Sequence, residues 1–369
     1  MPGKAAIFHG PGKPFEVRDL PLPELEPDAV LVRVTMASIC GSDLHIWRGD
    51  QQGVAFLAGG PRVIGHEMAG RVHRLGTNVR TDTLGQPLAE GDRVVYPYFF
   101  PCRRCYVCLR GELAACPNKE RRPGVDVPPH FTGAYAQYFH LPPGHFIFKV
   151  PDELDDDMIA PVNCALSQVI YGLRQAGLQF GDTLVIQGAG GLGLNAAAVA
   201  KDMGAERVIC IDAIPERLQL AKECGADYTI DINEHPSPRD RIDQVLALTG
   251  GRGADVVAEL VGRPQVVSEG VAMVRNGGAY LEIGNICPGH TTEFDPSQLV
   301  WGNKRIVGVL NYDPWVIPVA LSFLQRTREK YPLHKVVSHK YPLERIDEAF
   351  QQAEWATKQT AVTRAVITP

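Results

Sequence analysis

Residues Thr183 to Asp212 read TLVIQGAGGLGLNAAAVAKDMGAERVICID. The first five, Thr183 to Gln187, form an apolar run with the β-branched content of a buried strand. Gly188-Ala189-Gly190-Gly191-Leu192-Gly193 follows and matches G-x-G-x-x-G. An alanine-rich stretch from Leu192 to about Met203 has helical character. Arg207 to Ile211 is a second apolar run, and it ends in Asp212, 19 residues beyond Gly193. Strand, glycine loop, helix, strand and acid in this order make a dinucleotide-binding βαβ unit. Gly188 permits the tight turn, Gly190 lets backbone approach a pyrophosphate, and Gly193 lets helix and strand pack closely. The helix N-terminus turns N–H groups toward phosphate. Asp212 accepts hydrogen bonds from ribose hydroxyls and repels a 2′-phosphate, so the expected cofactor is NAD rather than NADP.

Beyond this unit the pattern repeats. Strand-like runs occupy Asp227–Ile230, Asp255–Val261, Ala279–Ile283 and Arg305–Leu310. Helix-like stretches Pro215–Cys224, Pro238–Thr249 and Pro264–Arg275 separate most of them. Six strands with crossover helices predict a doubly wound parallel sheet. The first 150 or so residues differ. Lys4–Phe8, Ala29–Ser38, Met68–Leu75 and Arg93–Tyr96 are short β-rich runs among Gly-Pro and Gly-Asp turn signals, which predicts an irregular, mostly antiparallel β domain. Asp152–Asp157 begins the passage between the two regions. After about Leu310 the character is mixed again, with an amphipathic helix over Arg345–Trp355 and a closing strand over Ala361–Ile367.

Four of the nine cysteines cluster. Cys102, Cys105, Cys108 and Cys116 are separated by two, two and seven residues. Four thiolates so spaced suit a closed tetrahedral zinc site, which is structural because it has no open coordination position. An iron–sulfur cluster is the rival, since C-x-x-C-x-x-C also occurs in ferredoxins. The long gap before Cys116 and the lack of a second cysteine set favour zinc. An odd cysteine count in a reducing compartment argues against a disulfide framework.

A second grouping is dispersed: Cys40-Gly41-Ser42-Asp43-Leu44-His45, then Gly65-His66-Glu67, then Asn163-Cys164-Ala165. Two thiolates and an imidazole would hold a zinc with one position open, as catalysis requires. Spacing alone cannot pair ligands scattered from residue 40 to residue 164. A lone Cys40 is more often a small buried thiol, and a lone His66 an ordinary core histidine.

Composition excludes other classes. Hydrophobic residues are 45% and charged residues 21%, as in an ordered globular chain, and 369 residues allow two or three domains. The formal net charge of −5 supplies no basic excess for nucleic acid or anionic membranes. The most apolar window, Leu184–Ala200, is interrupted by Gln187, Asn195 and four glycines and does not read as a membrane span. Residues 1–19 carry Lys4, His9, Lys13, Glu16 and Arg18 without an apolar core, unlike a secretory signal. The default expectation is a cytoplasmic protein.

Taken together, Gly65-His66-Glu67, Cys40-Gly41-Ser42-Asp43, the four-cysteine lobe and the glycine loop with Asp212 resemble the zinc-dependent medium-chain dehydrogenase/reductase family, of the alcohol dehydrogenase type. The resemblance spans essentially the whole chain. It implies a GroES-like catalytic domain from residues 1–155 and 312–369, with the structural zinc lobe at about 97–120. A Rossmann NAD-binding domain over 156–311 is inserted between them. Cys40, His66 and Cys164 match the family's catalytic zinc ligands, and Glu67 matches a carboxylate that can approach or enter the zinc shell. Asp43 matches the acid that orients the histidine ligand. Ser42 matches the hydroxyl that accepts the substrate proton, and His45 the outer end of the proton relay. Arg217 sits where the family often places an adenosine-ribose contact, although a solvated helix charge is an equal reading. Gly41 stands where some members carry a cation near the pyrophosphate.

The implied activity is reversible hydride transfer between a secondary or cyclic alcohol and NAD, with two zinc ions per chain. Alternatives are a polyol or amino-alcohol dehydrogenase of threonine or sorbitol type and, from another class, a non-catalytic zinc-stabilised NAD-binding protein. Cys164 as third ligand fits the alcohol dehydrogenase pattern better than the polyol and threonine branches, which tend to use an acid there. Expected partners are a small-molecule alcohol or carbonyl substrate and a second copy of the chain, as dimer or tetramer, with the Ala279–Gly284 and Arg305–Leu310 strands as candidate interface. Trp47, Phe56, Leu57, Trp301, Tyr312 and Trp315 are candidates for a substrate pocket or for ordinary packing.

Overall fold

A computed structural model of the chain describes residues 2–51, 60–355, 360 and 362–369. Phe56 and Leu57 therefore lie outside the described residues. In chain order the strands are β1 (Gly3–Phe8), β2 (Glu16–Leu20), β3 (Val30–Ser38), β4 (Arg62–Val63), β5 (Glu67–Leu75), β6 (Arg93–Val95), β7 (Tyr138–Leu141) and β8 (Phe148–Lys149). They continue as β9 (Thr183–Gln187), β10 (Arg207–Asp212), β11 (Tyr228–Asp231), β12 (Ala254–Glu259), β13 (Val274–Glu282), β14 (Arg305–Gly308), β15 (His339–Pro342) and β16 (Ala365–Thr368).

The chain divides into two compact units. The first comprises residues 1–164, 313–326 and 337–369, and the second residues 165–312 and 327–336. The border falls after Cys164 rather than at the expected 155/156, and the short 327–336 segment joins the second unit. The passage segment is itself helical over Asp156–Ile159, and its Ala160 packs with Met36 and Val366 of the first unit. That burial holds the segment to the first unit.

In the first unit, one sheet runs β15-β16-β3-β5-β6-β8, with β7 also paired to β3, and a smaller sheet runs β2-β1-β4. Apart from the parallel β15–β16 pair, these pairings are antiparallel. The larger core of this unit includes Val32, Val34, Met68, Tyr135 and Phe139, and a second cluster of Ala5, Ile7, Leu20, Val63 and Phe131 lies at the smaller sheet. The helix Ile346–Ala353 covers the larger core with Ile346, Ala349, Phe350 and Ala353, the i, i+3, i+4, i+7 stripe of an amphipathic helix. The closing strand begins at Ala365, later than the expected Ala361.

In the second unit, six parallel strands run β11-β10-β9-β12-β13-β14. This is the doubly wound order, in which the chain starts at the centre, winds to one edge and returns to wind to the other. β9 is buried at all five residues, as a strand with neighbours on both sides and cover on both faces must be. Pro215 and Pro238 each open a helix at a position where a backbone N–H would lack a partner anyway. The expected helix over Pro264–Arg275 is shorter, Val266–Met273, because β13 starts at Val274. Among the described residues, no helix is long and apolar enough to cross a membrane.

Candidate active site

The strand pair β3–β5 assembles the dispersed grouping. Ser38 lies opposite Glu67 in the ladder, so the residues just beyond β3 and just before β5 emerge at the same end. Cys40 caps the helix Gly41–Arg48, and His66 ends the turn leading into β5. That turn requires Gly65. Its φ is +90°, and a Cβ there would press on the Tyr135 ring at 2.8 Å. Cys164 arrives on the π-helical turn Val162–Leu166. Neighbouring Asn163 fixes it: its side-chain N–H groups reach the His66 and Tyr96 carbonyls at 3.1 and 3.0 Å, and its Oδ1 accepts the Met68 N–H at 3.1 Å.

The result is a cluster in which one donor atom each from Cys40, His66 and Cys164 lies within 4.8 Å of the others. Cys164 Sγ is 3.3 Å from His66 Nε2. Asp43 is fully buried and faces the other ring nitrogen, with Oδ1 3.2 Å from Nδ1. A carboxylate can only accept, so Nδ1 carries a proton and Nε2 is the nitrogen turned to the cluster. Asp43 is held in turn, since its Oδ2 accepts the Tyr135 hydroxyl at 2.7 Å and the Cys40 N–H at 3.0 Å. Ser42 Oγ lies 3.4 Å from His66 Nε2, on the same side.

The electrostatics suit a cation. Burial alone would depress the His66 imidazole, but the Asp43 carboxylate overrides it and holds the ring well above its ordinary pKa. A hydrogen bond from Cys164, against the cost of burial, holds the Cys40 thiol well below its usual value, and the same bond pushes Cys164 up. Two buried sulfurs and one oriented imidazole are thus poised to exchange protons for a soft divalent ion. Three donors among the described residues converge here, which would leave one position of a tetrahedral ion open.

The four-cysteine lobe passes a sharper fit test. The donor sulfurs of Cys102, Cys105, Cys108 and Cys116 all lie within 4.8 Å of one another. Cys116 Sγ is 3.6 Å from Cys102 Sγ and 3.9 Å from Cys105 Sγ. Four sulfurs at about 2.3 Å from one central ion stand about 3.8 Å apart at tetrahedral angles. A multi-iron cluster spreads its thiolates over separate irons and so sets them wider. The spacing therefore matches a single tetrahedral ion. The N–H of Arg104 is the largest of the influences that lower Cys102 to about 6.

In the second unit the glycine loop has the anticipated form. Gly188 has φ +97°, a conformation costly for other residues. Gly190 caps the helix Gly191–Asp202, and no atom lies within 4 Å of the Cβ it lacks. Its smallness thus serves no contact within the chain and leaves room for close approach to backbone. Gly193 does serve packing, because a Cβ there would overlap the Gly188 carbonyl. Gly191 is buried in the first turn, and Leu192 is half-buried beside it.

Residues 26–152 match the family model described as alcohol dehydrogenase GroES-like domain, and residues 191–326 the one described as zinc-binding dehydrogenase. The chain is 33% identical over 353 residues to the 5-exo-hydroxycamphor dehydrogenase of Pseudomonas putida, covering 95% of each. It belongs to the zinc-dependent medium-chain dehydrogenase/reductase family, of the alcohol dehydrogenase type. The L-threonine 3-dehydrogenase of Bacillus subtilis is also 33% identical, over 334 residues and 90% of each chain. Among solved structures, an alcohol dehydrogenase from Thermotoga maritima superposes with a TM-score of 0.90 at 29% identity over 100% of both chains.

Against this dehydrogenase background, two residues read from the sequence stand differently from expectation. Glu67 is fully buried, lies outside the Cys40–His66–Cys164 trio and pairs with Arg364 Nη1 at 3.0 Å. Arg364 was not singled out from the sequence. It reaches Glu67 because β16 pairs with β3, and it also donates to the Ile39 carbonyl at 3.2 Å. Asp212 accepts hydrogen bonds from the N–H groups of Ala189 at 2.7 Å, Ala213 at 2.7 Å and Ile214 at 3.0 Å. The acid therefore braces the glycine loop and the start of the next helix. Arg217 is half-buried, and burial lowers its pKa while the nearby Asp212 raises it.

Of the candidate pocket aromatics, Trp47 packs on the core of the first unit, with its ring 5.9 Å from that of Phe350. Tyr312 is fully buried, whereas Trp301 and Trp315 are exposed.

The dehydrogenase also holds an acid pair that the sequence did not reveal. Glu259 ends β12 and Glu282 ends β13, strands that pair in register at these two residues. Glu259 also lies opposite Gln187, the residue before the glycine loop. Glu259 Oε1 accepts the N–H groups of Val261 and Gly262, both at 2.7 Å. Asn285 Nδ2 bridges to Glu259 at 3.1 Å and to Glu282 at 3.2 Å. Burial and the facing Glu282 carboxyl raise Glu259 to about 8. An acid raised this way is protonated in the folded chain at pH values where the unfolded chain has released its proton. Its stabilising contribution is thus full below about 4.5 and is lost as pH rises toward 8. The expected result is a fall in unfolding free energy across that window of up to about 1.4 kcal/mol per pH unit. Glu259→Gln should flatten the slope in denaturant melts, and an unchanged slope would refute the assignment.

Proposed function

We propose that the chain is an NAD-dependent zinc alcohol dehydrogenase that interconverts a secondary or cyclic alcohol and its ketone. The observation that carries this reading is the Cys40–His66–Cys164 trio with the Ser42 hydroxyl 3.4 Å from its imidazole ligand atom. A protein that only bound zinc for stability would close the tetrahedron and would need no hydroxyl there.

Cys40, His66 and Cys164 would hold one zinc ion, and Cys102, Cys105, Cys108 and Cys116 a second. When bound in the open site, zinc supplies Lewis acidity that lowers the pKa of an alcohol. The chain's own residues do the rest. Asp43 and Tyr135 keep His66 turned with Nε2 toward the metal position. Ser42 stands ready to accept the alcohol's proton, and His45 carries it onward. Gly188, Gly190, Gly191, Leu192 and Gly193 seat the pyrophosphate at a helix N-terminus. Asp212, already braced by three N–H groups, disfavours a 2′-phosphate by charge.

The preference for a cyclic alcohol draws on the 5-exo-hydroxycamphor relative. The polyol or amino-alcohol reading draws on the equally similar L-threonine 3-dehydrogenase. A panel of cyclic, secondary, polyol and amino alcohols, each with NAD and with NADP, decides between them. Faster reduction of NAD with cyclic alcohols is the expected result. Turnover confined to threonine or polyols would transfer the assignment, and no turnover at all would favour a non-catalytic NAD-binding protein.

The reading includes a cytoplasmic location, supported by nine unbridged cysteines. It also includes a homo-oligomer. β14 is the edge of the six-stranded sheet, and Val300, Trp301, Ile306 and Leu310 around it are exposed. An apolar sheet edge left in water invites pairing with a second copy. Trp301→Glu with Ile306→Glu should reduce the sedimentation mass to that of one chain; a mass unaffected by the pair would sink this interface.

A further inference from the structure

His45 is the most enclosed member of the proposed relay, with its side chain 8% exposed. The helix that carries it ends at Gly49, whose φ of +87° turns the chain back so that the Asp50 N–H reaches the His45 carbonyl at 2.9 Å. The same reversal swings the Asp50 carboxylate over the imidazole, and Oδ2 lies 2.8 Å from Nδ1. Arg48 Nη2 lies 2.9 Å from that same Nδ1, and Arg48 Nε donates to Asp50 Oδ2 at 2.8 Å. Arg48 is fixed from behind by two bonds to Glu354, at 3.1 and 3.0 Å, and lies over the Trp355 ring.

Resting on the dehydrogenase reading above, we infer that Asp50 and Arg48 are opposed positioning residues for His45. Asp50 holds the ring with Nδ1 protonated and Nε2 free to accept the relayed proton, and Arg48 limits the ring's basicity.

A carboxylate only accepts and a guanidinium only donates. The tautomer with Nδ1–H, and the imidazolium formed when Nε2 takes a proton, can bond only to Asp50. The tautomer with a bare Nδ1 can bond only to Arg48. Nδ1 therefore keeps a partner in every state, and the balance between the two neighbours decides which state is favoured. The shared proton is only relocated: Nε2–H forms as the upstream O–H breaks, and it leaves by reversal of that step or to water.

Among the described residues of its own unit, the charged groups facing the ring include Arg48 and Asp50 on its own segment, Glu354 behind Arg48, and Cys40 at the head of its helix. Burial holds the imidazole below its ordinary pKa; Asp50 pulls it up and Arg48 pulls it down.

The test is the pH dependence of alcohol oxidation by the zinc-loaded full chain. Asp50→Asn should lower kcat about tenfold and move the ascending limb of the profile down by about one pH unit. Arg48→Gln should move the same limb up by a comparable amount. Asp50→Glu, which keeps the charge, should recover most of the loss even if Asp50→Asn folds poorly. In a His45→Gln background, Asp50→Asn should add almost nothing. Limbs that shift in the same direction, or an undiminished Asp50→Asn effect without His45, would overturn the inference while leaving the enzymatic reading intact. A wild-type chain that oxidises no alcohol would overturn both.

Discussion

Cys164→Ser is expected to remove one of two zinc ions per chain and to abolish alcohol oxidation, while the folded chain and its lobe metal survive. Among the described residues, Cys164 is one of three donors that converge here, and its sulfur lies 3.3 Å from His66 Nε2. Loss of residues that merely orient metal ligands typically costs 10- to 100-fold. Loss of a ligand itself should exceed that, so turnover should fall by more than about 100-fold. Stability should change little, because Asn163 still ties this turn to the residues preceding and following it on the β5 side. Metal analysis with a steady-state assay checks both halves. Full turnover with two ions retained would remove Cys164 from the site. Loss of both ions would show that the two centres are not independent.

Cys116→Ser should act in the opposite way: the lobe ion is lost, the open-site ion remains, and the main damage is to stability. The lobe has only short elements of its own among the described residues, anchored by contacts such as the Ala114 N–H to Asp313 at 2.8 Å. Its α-helix is four residues long, Tyr106–Leu109, far below the length at which a helix holds itself, and Tyr106 and Leu109 are exposed. Cys116 is buried and lies against Cys102 and Cys105. Structural zinc contributes its binding energy to folding. A net loss of several kcal/mol, spread over a chain this long, lowers the melting temperature by on the order of 10 °C. Limited proteolysis should cut between residues 102 and 116 in the variant and not in the wild type. A variant with unchanged melting temperature and metal content would refute a structural ion there.

Not all of the site was equally legible in the sequence. The glycine loop and the four-cysteine lobe are local: their parts lie within one turn or one short loop, so spacing carries their geometry. The six strands of the second unit were legible for a related reason. The central β9 and β10 are mainly apolar runs, since the middle of a parallel sheet buries both faces, whereas the edge strands β11 and β14 are partly exposed. The trio was legible only through family resemblance, because ladder register, which brings Cys40 beside His66, leaves no trace in spacing.

The sequence by itself determined the dinucleotide loop, the lobe and the order of elements, because these follow from contacts between near neighbours along the chain. Tertiary structure alone decided what stands around them. Arg364, just before β16, meets Glu67, at the start of β5, across the intervening strand β3, 297 positions apart in number. Glu259 faces Glu282 because β12 pairs with β13. In the buried pairs, the charge or proton is set by desolvation and by the partner it happens to face. A sequence records which ionisable groups exist; only folding decides which are taken out of water and against whom.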